Sequence, residues 1–149
     1  MKIHRPHTGG FSLLELAVVL GLVTIAMVGV VFAVRGNNQR ELQQASLTLQ
    51  ADLRYTQRRA MLEGVRAGIV FEPAANRYHL MVGHTHLRTV YLQGGVTLMG
   101  TIGGTELMFL PRGTASSGFR IVLGSGGYSQ HLTATVSGGR IQIWEITRL

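Results

Sequence analysis

Residues Phe11–Val34 read FSLLELAVVLGLVTIAMVGVVFAV, 24 positions of which 19 are apolar and one, Glu15, is charged. At about 1.5 Å rise per residue such a helix is about 36 Å long, enough to cross a hydrocarbon core of about 30 Å. The residues that follow are too few to wrap a rod of this kind on every side, which disfavours a buried helix of a soluble domain. The leader MKIHRPHTGG carries Lys2 and Arg5 and no acid, so its end is expected to stay cytoplasmic. A secretory signal places its small residues behind the apolar run, whereas here Gly9 and Gly10 stand in front of it. Cleavage at that point would remove the charged leader and keep the helix.

Glu15 needs a reason to be there, because a carboxylate at bilayer depth is costly and is a functional candidate by default. A cut after Gly10 gives Phe11 a free α-amine one helical turn from Glu15, and a neighbouring subunit's amine would serve equally as counter-charge. Gly10, Phe11 and Glu15, with the continuation SLLE, resemble the prepilin signal of type IV pilins and type II secretion pseudopilins. The resemblance implies cleavage between Gly10 and Phe11 by a prepilin peptidase, N-methylation of Phe11 and an assembly role for Glu15.

Beyond Val34 the helical period persists. Leu42, Ala45, Leu49, Leu53, Thr56 and Ala60 recur at steps of three and four, an amphipathic stripe, and Gly64 supplies a stop. From Val65 the pattern changes to short β-branched runs between glycine-rich turns, and 20 glycines in 149 residues fit that reading. Strands are expected near 66–71, 78–82, 87–92, 96–99, 106–110, 119–123, 132–136 and 140–146. The expected fold class is α+β, a long N-terminal transmembrane spine helix packed on antiparallel β-sheets. Its segments are a cleaved leader (1–10), a transmembrane or filament-core helix (11–34), an amphipathic continuation (35–64) and a globular antiparallel β domain (65–149).

Three further runs resemble the GspH/FimT branch of minor pseudopilins and minor pilins: Tyr55-Thr-Gln-Arg-Arg-Ala60, Phe109-Leu-Pro-Arg-Gly113 and Gly139-Arg140-Ile141. The resemblance implies a pilin-like fold and a subunit that joins or primes a filament serving type II protein secretion or type IV pilus assembly. It implies as partners other (pseudo)pilins through the N-terminal helix, the prepilin peptidase and an inner-membrane assembly platform. It also implies a single-pass protein of the bacterial cytoplasmic membrane with its C-terminal domain outside the cytoplasm.

Catalysis finds little support in the residues. The acids beyond the anchor, Glu41, Asp52, Glu63, Glu72, Glu106 and Glu145, are spread singly, and no phosphate loop or nucleophile elbow is present. With no cysteine there is no disulfide framework, thiolate zinc site or thiol nucleophile. We therefore expect neither an enzyme nor a cofactor. His84 and His86 would share a face if extended, with His79 on a neighbouring strand, but the reading adopted is a polar hairpin tip and no metal site. The acid-poor C-terminal half offers no carboxylate cluster for calcium.

Every basic residue after Arg5 is arginine, and twelve arginines against seven acids leave +5 once the leader is gone. Guanidinium forks suit phosphate. Arg112, Arg120, Arg140 and Arg148 therefore form a candidate DNA-binding set, and the alternative function is a DNA-binding minor pilin at a filament tip for natural transformation. FimT-type DNA receptors carry a Gly-Arg-x-Arg element, whereas this chain has Gly139-Arg140-Ile141-Gln142 and lacks the second arginine.

Overall fold

A computed structural model describes the backbone of residues 12–149 and the side chains of residues 12–27 and 37–149. Helix α1 spans Leu13–Glu63 and contributes to each of two units, Met1–Arg35 and Gly36–Leu149.

In the first unit Ser12 caps the start of the helix. The Glu15 N–H donates to Ser12 Oγ at 3.2 Å, and the Leu16 N–H donates to the Ser12 carbonyl at 3.2 Å. From Leu13 to Met27, ten large apolar side chains are at least 44% exposed and leave no polar face. Among the described residues no helical stretch is long and apolar enough to cross a membrane. The expected span Phe11–Val34 lies partly outside them.

In the second unit the helical stripe is buried as its period requires. Leu42, Ser46, Leu49, Leu53, Thr56 and Ala60 lose all solvent contact, and Ala45 is partly buried. Gly64, at φ 66°, ends the helix in the left-handed conformation that glycine adopts without penalty.

Nine strands follow: β1 (Ala67–Glu72), β2 (Arg77–Val82), β3 (Thr85–Tyr91), β4 (Thr97–Ile102), β5 (Glu106–Phe109), β6 (Phe119–Ser125), β7 (Tyr128–Ala134), β8 (Ile141–Ile143) and β9 (Thr147–Arg148). They form two antiparallel sheets. One has the order β3-β2-β1-β5, and the other runs β4-β6-β7-β8 with β9 also on β7. Strand β2 alternates buried Tyr78, Leu80 and Val82 with half-buried Arg77, His79 and Met81, the signature of one covered face. The sheets meet in the core through Phe71 of β1 and Phe119 of β6, stacked with centroids 5.5 Å apart. Around them lie Leu107, Ile121, Leu123 and Leu132, all essentially inaccessible to solvent.

The α+β class and the antiparallel sheets agree with the sequence reading, and the departures lie at strand ends. Strand β7 begins at Tyr128 rather than near 132, because the turn before it is only Gly126-Gly127, both at positive φ, and Ser125 pairs directly with Tyr128. The expected strand 140–146 is broken. Leu132 pairs with Ile143 while Ser129 pairs with Thr147, a slip of one residue that leaves Trp144–Ile146 as a bulge.

Asn76 joins the sheets. It sits at φ 49°, ψ 44°, a left-handed conformation that asparagine tolerates better than most residues. Its Nδ2 donates to the Val96 carbonyl at 2.9 Å and the Leu92 carbonyl at 3.3 Å, and its Oδ1 accepts from the Leu98 N–H at 2.8 Å. The β1–β2 turn of one sheet is thereby tied to β4 of the other.

Candidate functional site

Glu15 occupies the first turn of α1 with its side chain exposed. An acid there complements the positive end of the helix dipole, and its backbone N–H is satisfied by Ser12 Oγ. The cleavage pair Gly10 and Phe11 lies outside the described residues.

The four candidate arginines are all exposed, and the fold groups three of them. Gln57 of α1 donates from Nε2 to the carbonyls of Gly113 (2.6 Å) and Gly139 (3.1 Å), which brings two turns side by side. Arg112 precedes the first of these glycines and Arg140 follows the second. Arg120 stands opposite Thr133, and the Thr135 N–H donates to the Arg140 carbonyl, so Arg120 and Arg140 share one end of β7. Arg148 pairs with Tyr128 at the other end, about 20 Å away at about 3.3 Å per residue. None of the four forms an ion pair among the described residues, whereas Arg59, Arg77 and Arg88 are held by Glu63, Glu72 and Asp52.

Asp52 is the polar residue that reading the sequence undervalued. It is nearly buried in the helix–sheet interface, where Tyr78 Oη donates to Oδ2 at 2.8 Å and Arg88 donates to Oδ1. Burial pushes the Tyr78 phenol well above its ordinary pKa, and the hydrogen bond to Asp52 adds to that. The signal was available: Asp52 sits three residues after Leu49 on the apolar stripe, and a charge on a buried stripe requires partners. Further along the first sheet, the Arg77 guanidinium at 2.6 Å holds the Glu72 carboxyl below the usual carboxylate range, with a smaller contribution from His79. Both acids are occupied as ion-pair partners, so the geometry supports recognition and packing rather than proton transfer. Among the described residues no three His, Asp or Glu side chains converge as a metal site. His84 lies in the two-residue turn before β3, and it is His86, not His84, that meets His79.

Comparison with known proteins places this helix-on-sheets fold. The family model of the type II transport protein GspH matches residues 45–139. The chain belongs to the GspH family. Solved structures of similar fold include the minor pseudopilin EpsH from the type 2 secretion system of Vibrio cholerae, 16% identical over 70% of this chain and 96% of that one, with a TM-score of 0.61. The type IV minor pilin FimU of Pseudomonas aeruginosa is 20% identical over 71% of this chain and 90% of its own, with a TM-score of 0.60. Identities this low speak for the fold alone. No curated protein matches the chain. The GspH match begins at Ala45 and ends at Gly139, so it includes Asp52, Gln57, Arg112 and Arg120 but neither Glu15 nor Arg140.

Proposed function

We propose that the chain is a minor pseudopilin or minor pilin subunit. In this reading a prepilin peptidase cuts between Gly10 and Phe11 and Phe11 is N-methylated. The N-terminal helix anchors the subunit in the bacterial cytoplasmic membrane, with the β-sheet unit outside the cytoplasm. The subunit then packs by that helix among other (pseudo)pilins on an inner-membrane platform, in a filament for type II secretion or type IV pilus assembly. The observation that carries the reading is the apolar helix Leu13–Met27, exposed on every side, since a helix apolar all round is stable only against lipid or other apolar helices. Glu15, at the start of that helix, pairs with a neighbour's terminal amine and sets the axial register.

The test is expression in a host with a pseudopilus or pilus system, followed by mass analysis of the N-terminus and pull-down of partner subunits. Gly10→Ala should leave the leader in place. Glu15→Ala should be processed normally yet enter filaments at less than about a tenth of the wild-type level, the loss expected for removing one partner of a buried charge pair. Normal processing of the first and normal incorporation of the second would refute the reading.

A second reading, a DNA-binding subunit at a filament tip, has one observation in its favour, the exposed trio Arg112, Arg120 and Arg140, which form no ion pair among the described residues. In titrations of duplex DNA against the unit Gly36–Leu149 at several salt concentrations, each of Arg112→Ala, Arg120→Ala and Arg140→Ala should lower the salt slope by about 1. Arg148→Ala and the ion-paired Arg77→Ala should not. Equal effects from all five would reduce the interaction to general charge attraction.

A further inference from the structure

We propose that His79, His86 and Thr89 form a binding site for a first-row divalent transition metal, of the class Zn²⁺, Ni²⁺ or Cu²⁺, on the outward face of the β2–β3 hairpin. Three donor atoms converge there from two strands. His79 Nδ1 lies 3.3 Å from His86 Nε2 and 2.9 Å from Thr89 Oγ1, and His86 Nε2 lies 3.0 Å from the same hydroxyl. Bonds of about 2.0–2.1 Å separate neighbouring ligand atoms by about 3.3 Å at a tetrahedral angle and by about 2.9 Å at a right angle. The three separations therefore describe one face of a metal's coordination polyhedron without movement of the backbone, and water fills the positions left open.

The sequence conceals this arrangement because His86 and Thr89 are three residues apart, a spacing that puts side chains on opposite faces of a regular strand. The register slips between Leu80 and Met81, so that Leu80 faces Arg88 while Met81 faces His86. The extra residue in β3 turns His86 onto the face of Thr89 and of His79, which alternates with buried Tyr78 and Leu80.

The surroundings favour a metal over a stray contact between imidazoles. Glu72 Oε1 lies 3.2 Å from His79 Nε2, the ring nitrogen remote from the site. That carboxylate, itself anchored by Arg77 at 2.6 Å, is placed to accept a hydrogen bond from Nε2–H, the tautomer in which Nδ1 keeps its lone pair on the side of His86. This is the carboxylate–histidine pairing that fixes tautomer and raises ligand basicity in metal sites. Imidazole donors select zinc, nickel and copper over magnesium and calcium.

The experiment uses the full chain in detergent, carrying His4→Ala and His7→Ala so that the leader offers no imidazole, stripped with chelator and titrated calorimetrically with Zn²⁺ or Ni²⁺ alone at pH 7.5. One equivalent should bind. His79→Ala and His86→Ala should each weaken binding at least tenfold, Glu72→Gln about tenfold, and His84→Ala not at all. Unchanged binding in both His79→Ala and His86→Ala, or no binding at millimolar metal, would overturn the proposal. Should either variant fail to fold, imidazole NMR of the unsubstituted site decides. Zinc should shift the ring resonances of His79 and His86 and spare those of His84 and His131, and any other pattern rejects the site.

Discussion

Asp52 receives two donors, and its loss has a different consequence for each. Asp52→Ala strands the Tyr78 hydroxyl in the core but frees Arg88, which is half exposed, to water. The expected cost is about 1–3 kcal/mol, the penalty for one buried unsatisfied hydroxyl, read by urea denaturation of Gly36–Leu149. Adding Tyr78→Phe to Asp52→Ala should cost less than the two single changes together, because the second removes a group already orphaned. Tyr78 also sets an alkaline limit. Its folded pKa is raised, so its contribution is complete below the unfolded value of about 10 and fades above it as the unfolded phenol alone gives up its proton. Stability should therefore fall above pH 10 by up to about 1.4 kcal/mol per pH unit, and Tyr78→Phe should remove that component from denaturation midpoints taken between pH 9 and 11. Single residues were the least legible part of the sequence. Asp52, Tyr78 and Arg88 lie on α1, β2 and β3, and only the pairing of β2 with β3 beneath the helix brings them together. The expectation at Gly10, Phe11 and Glu15 rests on spacing along one short segment and needs no tertiary contact.

Secondary-structure elements were legible wherever periodicity decides them. The helical stripe and Gly64 gave α1 its end, and β1, β2, β5 and β6 start within a residue of expectation. Errors gathered where glycine serves inside a strand. Gly124 belongs to β6, so the turn between β6 and β7 is only Gly126-Gly127. At this hairpin, Gly127→Ala faces open space and should cost about 1 kcal/mol from left-handed backbone alone, while Gly126→Ala also meets Asn38 and should cost more. Thermal denaturation of the two variants measures the difference. Between the sheets, Asn76→Ala removes three hydrogen bonds and places alanine in a left-handed conformation, an expected loss of about 2–4 kcal/mol in the same assay. No local pattern announces that role, since Pro73-Ala-Ala-Asn76 reads as an ordinary turn until β4 is found beside it.

For the whole molecule, the contrast between its units is what matters. The β-sheet unit has a buried core and exposes large apolar side chains such as Tyr91, Ile102 and Trp144 at scattered positions, whereas Leu13–Met27 leaves ten uncovered along one short helical stretch. At about 1.5–3 kcal/mol for each such side chain, the gross gain from covering them is about 15–30 kcal/mol. The full chain should accordingly self-associate or require detergent, while Gly36–Leu149 stays monomeric at the same concentration in analytical ultracentrifugation. A monomeric, detergent-free full chain would contradict this. The interruption between β8 and β9 has a mechanical side. Strand β9 contributes only Thr147 and Arg148, and the Leu149 N–H is tied to the Gly127 carbonyl. A force applied at Leu149 would load those few bonds one after another. The peel would then reach the Trp144–Ile146 bulge before it strains β8. Thr147–Leu149 would thus act as a short sacrificial segment, and the tension it bears is not transmitted at once to the core around Phe71 and Phe119.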